Sequence, residues 1–182
     1  MKLLTKTPVA ILIMVVVILA SGTLGCRRSL LSARKNAEDY FYSGENGDGD
    51  SIQSDLEYIG ATANNLKTIA LRYTDADDQL IIDLNTTRSA LTSSKTISAK
   101  YEAAQKLFDA VTALHDSLDP GKMNSTDKGF RASLYDDIKS AMQRISHNGY
   151  NDAAREFNDI LEHFPAKLIA DLVGVEPIQL YG

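Results

Sequence analysis

A run of twenty residues without a formal charge, residues 7–26, constrains this chain more than any other feature. Its core, residues 9–20, reads VAILIMVVVILA. As a helix, twenty residues span ~30 Å, about the thickness of a bilayer's hydrocarbon core. Lys2 and Lys6 flank the run on one side, Arg27 and Arg28 on the other. Everything after Arg28 is therefore expected to be tethered to a membrane or exported across one. Three readings of residues 1–26 stand side by side. As a retained single-pass helix, Thr7 caps it and Pro8 fits the first turn, where a missing N–H costs little. As a signal peptide, it has a basic start, an apolar middle and small residues at Ala20-Ser21-Gly22. As a lipoprotein signal, it has Thr23-Leu24-Gly25 before Cys26, which would be acylated. The retained helix is the reading adopted. Lys2 and Lys6 then oppose Arg27, Arg28, Arg34 and Lys35, and the positive-inside rule puts the domain in the cytoplasm. Cleavage or acylation would instead place it in the periplasm or exterior.

Of 182 residues, about 156 follow the run, a length suited to one domain with its own core. Cys26 is the only cysteine, so an intramolecular disulfide and a cysteine-based metal site are both excluded. Without the two leading lysines, 17 Lys+Arg stand against 24 Asp+Glu, a net charge of −7. Nucleic acid is not an expected partner, because neutralising phosphates needs clustered Lys and Arg.

Helical periodicity dominates the rest. Leu30, Leu31, Ala37 and Phe41 predict an amphipathic helix over residues 28–42 that continues the anchor. A Gly/Asp-rich loop, residues 44–50, stops it. Ser51 caps a helix whose apolar stripe is Ile52, Leu56, Ile59, Ala63, Leu66, Ile69 and Tyr73. Residues 74–78 are either a break with Thr74 as a new cap or an acidic patch on one continuous helix. Leu80, Ile81, Leu84 and Leu91 carry the pattern to about Thr92. The next stripe, the most regular, runs Ile97, Tyr101, Ala104, Leu107, Phe108, Val111, Leu114 and Leu118. Asp119-Pro120-Gly121 ends it. Phe130, Leu134, Ile138, Ala141, Met142 and Ile145 form another, with a kink or split expected at Asn148-Gly149. Tyr150, Ala153, Ala154, Phe157, Ile160, Leu161 and Phe164 resume it, and residues 167–173 give one or two turns before Gly174. No window alternates strictly, so the chain reads as all-α: an antiparallel up-and-down helical bundle after an N-terminal membrane helix. Residues 1–26 are the anchor or signal segment and 27–50 a juxtamembrane helix and loop. Residues 51–174 are the bundle and 175–182 a tail.

Sites for chemistry are sparse. The acidic loop suggests a weak calcium site, with Asn46, Asp48, Asp50, Asp55 and Glu57 as candidate ligands. Calcium loops of the EF-hand type need oxygen ligands at alternate positions, a sixth-position glycine and a twelfth-position acid. With Gly49 as the sixth residue, Gly44 stands where a carboxylate belongs; with Asn46 as the first, the glycine is lost. A solvated acidic turn fits better. Of His115, His147 and His163, none follows a Glu by three residues, the pattern of carboxylate-bridged metal sites in bundles. No nucleophile elbow, phosphate loop or zinc-protease helix is present. No cofactor is expected. Tyr150, Phe157 and Phe164 are expected on one buried helix face. Asn151 and Asn158, also seven apart, are expected to bond a neighbouring helix or a partner.

Tyr150-Asn151, Phe157-Asn158, Phe164-Pro165, Leu168-Ile169-Ala170 and Gly174 stand in an order and spacing that resembles the LemA family. Lys35-Asn36, Asn65-Leu66 and Tyr73 agree more loosely. The resemblance implies a membrane-associated, elongated helical bundle. Departures are the missing early tryptophan, whose place Phe41 or Tyr42 takes, Asn64 in place of a proline, the inserted loop at residues 44–50, and no recognisable Glu-Asn-Arg-like element before Tyr150. The expected role is non-catalytic: an envelope interaction or scaffold protein binding the membrane and an unidentified protein partner. The alternative is an exported lipoprotein with a weak metal-binding or hydrolytic role.

Overall fold

A computed structural model describes residues 7–75 and 78–182. Among these residues there are helices and no strand. They are α1 (Thr7–Ser43), α2 (Ile52–Ala70), α3 (Gln79–Ser93), α4 (Ile97–Ser117), α5 (Ser125–Ser146), α6 (Tyr150–Glu162) and α7 (Ala166–Val173), with a 3-10 turn at Glu45–Gly47. The chain forms two compact units.

The larger unit comprises Asp39–Asn151 and Gln179–Gly182. Its centre is a four-helix bundle in which α2 packs mainly on α5 and α3 on α4. Side-chain bonds fix the directions. Arg72, just past the end of α2, meets Asp127 in the first turn of α5, while Arg144 in the last turn of α5 meets Asp55 in the first turn of α2. The two helices are therefore antiparallel. Thr112 of α4 approaches Tyr135 of α5, and Arg131 bonds the His115 carbonyl, so α4 and α5 are antiparallel as well. The regular spacing of α4 has its expected outcome: Ala104, Leu107, Val111 and Leu114 are fully buried. Their apolar area leaving water is a main source of the bundle's stability.

Local signals explain the helix ends. The Ser51 hydroxyl accepts the Ser54 N–H, and the Ser54 hydroxyl accepts the Ser51 N–H in return. The chain breaks after α2, and the new cap is Asp78, which accepts from the Leu80 N–H; Thr74 bonds the Asp78 carboxylate instead. Thr96 caps α4 and Asn124 caps α5. The chain splits at Asn148-Gly149, where the Asn148 side chain accepts the Tyr150 N–H. Gly44 is buried at φ 79°; a Cβ there would run into the Asp48 carboxylate and lie 2.8 Å from the Asp50 carbonyl oxygen, so this turn requires glycine. Some expected stripe positions are not buried: Leu31 is 38% and Ile160 43% exposed. Phe130 is 55% exposed, while Asp127, one turn earlier in α5, is buried. Of the two aromatic residues expected in place of the tryptophan, Phe41 is fully buried and Tyr42 is exposed.

The smaller unit comprises Met1–Glu38 and Asp152–Ile178. Leu30, Ala37, Ala154, Phe157, Leu161, Ala170, Val175 and Ile178 are its buried apolar residues. Gly174 ends α7 in the left-handed conformation at φ 68°, and the Val175 N–H closes back on the Ala170 carbonyl. Among the described residues no helix is long and apolar enough to cross a membrane. The side chains of residues 7–10, 12, 15, 16 and 18–20, which carry most of the expected anchor, lie outside the described residues, as do residues 1–6.

Candidate functional site

Three arrangements use polar or apolar groups in a way the bundle's packing does not require. The first is a carboxylate at the junction of α2 and α5. Asn124 caps α5 by accepting the Asp127 N–H at 2.8 Å. That cap fixes Asp127 in the first helical turn, where the helix dipole favours an anion. Its carboxylate, 1% exposed, accepts the Tyr73 hydroxyl at 2.7 Å, Arg72 Nη1 at 2.6 Å and Asn124 Nδ2 at 2.8 Å. The Tyr73 hydrogen bond, with those from Arg72 and Asn124, outweighs desolvation and holds the acid below the usual carboxylate range. The same bond pushes the Tyr73 phenol up. A carboxylate with three donors is a poor proton acceptor near neutral pH, and its bonds tie the end of α2 to the first turn of α5.

The sign of its pH dependence follows. The folded-state value lies below the unfolded one, so the stabilisation is fully present above about pH 4 and disappears as pH falls through the depressed value. The urea midpoint of the full-length protein in nonionic detergent is expected to fall below about pH 4, in part through Asp127. Asp127→Asn is expected to lower the midpoint at neutral pH and to flatten that acid limb. An acid limb equally steep in both proteins would remove Asp127 from the explanation.

The second arrangement is a pair of asparagine clamps. In the smaller unit, Asn158 Oδ1 accepts the Ile178 N–H at 2.8 Å and Nδ2 donates to the Ile178 carbonyl at 3.0 Å. In the larger unit, Asn151 Oδ1 accepts the Tyr181 N–H at 2.8 Å and Nδ2 donates to the Tyr181 carbonyl at 2.9 Å. Each primary amide thus imitates a strand neighbour for one residue of extended chain. The Tyr150 hydroxyl adds a bond to the Gln179 carbonyl, and Phe41, Tyr101 and Tyr150 surround the buried Tyr181 within their unit. The asparagines therefore bond the C-terminal segment, not a neighbouring helix. The sequence left that segment without a role because extended chain has no periodicity to read.

The third is an exposed apolar surface formed by α7 and the turn before it. Phe164, Leu168 and Leu172, four residues apart, are 84%, 64% and 70% exposed. Phe164 does not continue the buried face of Tyr150 and Phe157, because α6 ends at Glu162 and Phe164 stands in the turn before α7. Single exposed apolar residues are ordinary, but three at helical spacing form a surface that another apolar group would cover.

Three of the candidate carboxylates make side-chain bonds. Asp48 Oδ1 accepts the Asp50 N–H at 2.9 Å, Asp55 pairs with Arg144, and Glu57 accepts the Gln53 amide at 2.6 Å. The Asp50 carbonyl accepts from Asn148, and the Asn46 side chain lies outside the described residues. Among the described residues no three His, Cys, Asp or Glu side chains stand in ligating geometry. His115 stacks on Tyr135 at 4.1 Å between ring centres, and His147 and His163 are exposed at helix ends. Cys26 is a half-buried free thiol.

The described residues, all helical, with a four-helix bundle and a clamped C-terminal segment, define a helical-bundle protein. The family model for the LemA family matches residues 50–182, so the chain belongs to the LemA family. No curated protein matches it.

Proposed function

We propose that this LemA-family chain is a non-catalytic interaction protein, anchored in a membrane by residues 7–26 as a retained single-pass helix. On this reading the bundle faces the cytoplasm and serves as a rigid stand. The observation that carries the binding role is the exposed surface of Phe164, in the turn before α7, with Leu168 and Leu172 on α7. The uncharged run and its flanking Lys and Arg support the anchor and its orientation. A photo-crosslinking residue at Leu168 is expected to give a discrete protein adduct in native membranes, one lost when Phe164 and Leu172 are replaced by aspartate. The same residue at Lys95, exposed in the larger unit, is expected to give none. Identical adducts from both positions would sink the proposal.

A second reading, the lipoprotein, rests on Gly25-Cys26 at the end of the apolar run. The two separate cleanly. A retained helix keeps the protein in membranes through high-salt and carbonate washing, and Cys26→Ser does not release it. Palmitate labelling that disappears in Cys26→Ser would establish acylation instead. A reporter after Gly182 that is active only when exported would contradict the cytoplasmic orientation.

A further inference from the structure

The larger unit contains a cavity of about 340 Å³ between α2, α3 and the start of α4. Leu56 and Leu91 supply apolar wall, and Arg88, Lys100, Gln53 and Glu57 supply the polar groups. The charges are not balanced. Lys100 Nζ donates to Gln53 Oε1, and Gln53 Nε2 donates to Glu57 Oε1 at 2.6 Å, so the one carboxylate is engaged through Gln53 with the lysine. Arg88 Nε is buried and has no hydrogen-bond partner among the described residues. A buried N–H of a permanent cation left without an acceptor is costly and needs an explanation. A second observation comes from α2. Gly60 lines the same cavity in mid-helix, where glycine weakens a helix relative to alanine. A Cβ at Gly60 would meet nothing within 4 Å, so no neighbour demands glycine there and there is room for a larger side chain.

We propose that this cavity is a binding site for a small organic carboxylate, with Arg88 as the residue that receives the anion. A guanidinium offers parallel N–H donors that match a carboxylate's two oxygens. Two cations against one carboxylate leave a single positive charge, so a monoanion completes the set. Leu56 and Leu91 suit an apolar body of modest size, and the volume lies at the small end of ligand pockets. Lys100 stands above the rings of Phe41 and Tyr42, 5.4 Å from each centre, which fixes its ammonium at one edge of the site. Burial holds Lys100 below its usual value, against the raising effect of Glu57, as expected for a cation in a partly dry pocket.

Benzoate is a suitable probe, with benzyl alcohol as its uncharged counterpart. With the full-length protein in nonionic detergent, benzoate is expected to bind saturably with a Kd of about 1 mM or tighter. It is also expected to shift the Arg88 Nε–H resonance, assigned by its loss in Arg88→Gln. Benzyl alcohol should bind at least about tenfold more weakly, and Arg88→Gln should weaken benzoate by a similar factor. Gly60→Leu fills the cavity; it is expected to abolish binding while the thermal midpoint holds or rises. If Arg88→Gln does not fold, Arg88→Lys supplies the assignment, and the resonance shift and Gly60→Leu decide. An unmoved Arg88 signal, benzyl alcohol binding as tightly as benzoate, or full binding in Gly60→Leu would each overturn the proposal.

Discussion

Leu114→Ala is expected to lower the denaturant midpoint substantially. Leu107, Val111 and Leu114 have no exposed surface, and α4 touches α2, α3 and α5. Removing a leucine's terminal atoms forfeits ~2 kcal/mol of burial and leaves a cavity that the surrounding helices only partly fill. The total loss is expected at ~2–5 kcal/mol. Asp48→Ala makes the contrast. Its bond to the Asp50 N–H is exposed, so the change is expected at ~0.5 kcal/mol, with or without calcium. Urea titration of both variants in nonionic detergent checks the pair. If Leu114→Ala costs no more than Asp48→Ala, the bundle core is wrongly placed. Calcium raising the wild-type melting temperature, with Asp48→Ala abolishing the effect, would write a metal site into the loop.

The second large effect is expected at Asn158. Its amide satisfies both backbone groups of Ile178, a residue only 4% exposed. Asn158→Ala leaves a buried N–H and a buried carbonyl without partners, at ~1–3 kcal/mol for each group that water cannot reach. The loss is local before it is global. Amide exchange at Ile178 is expected to accelerate far more than exchange at Leu107. Asn158→Asp keeps an acceptor for the N–H but sets a carboxylate oxygen against the Ile178 carbonyl, so it is expected to destabilise at neutral pH and recover on acidification. Unchanged Ile178 exchange in Asn158→Ala would show that side-chain burial alone holds the segment.

What the sequence revealed divides along physical lines. Helices announce themselves through a period of 3.6, and α4, with its run from Ile97 to Leu118, was legible nearly to its ends. Caps were legible where a single residue does the work, as at Ser51. The break at residues 74–78 admitted two readings because Thr74, Asp75 and Asp78 suit both a cap and an exposed helical face. Periodicity also identifies an amphipathic face without saying what covers it. Phe164, Leu168 and Leu172 have the spacing of core residues and lie in solvent. The Asp127 cluster was missed although Asn124 and Asp127 have the spacing of a capped first turn; their partners Arg72 and Tyr73 lie more than fifty residues away in sequence. Arg88 and Lys100 were invisible for the same reason, since nothing local distinguishes a cation lining a cavity from one in water.

The asparagine clamps also set which positions of the C-terminal segment are free to change. Each amide grips the main chain of its partner residue and reads no side chain there. Glu176, Pro177 and Gln179 are exposed and bring no side-chain bond to the clamps, so a library of substitutions at these three positions should be broadly accepted. Proline is the telling case. It already stands at 177, but at 178 or 181 it would delete the N–H that Asn158 or Asn151 accepts. Selection should therefore act on composition at Asn151 and Asn158 and, across the segment they hold, on little more than the exclusion of one residue type and the retention of Ile178 and Tyr181 as buried anchors.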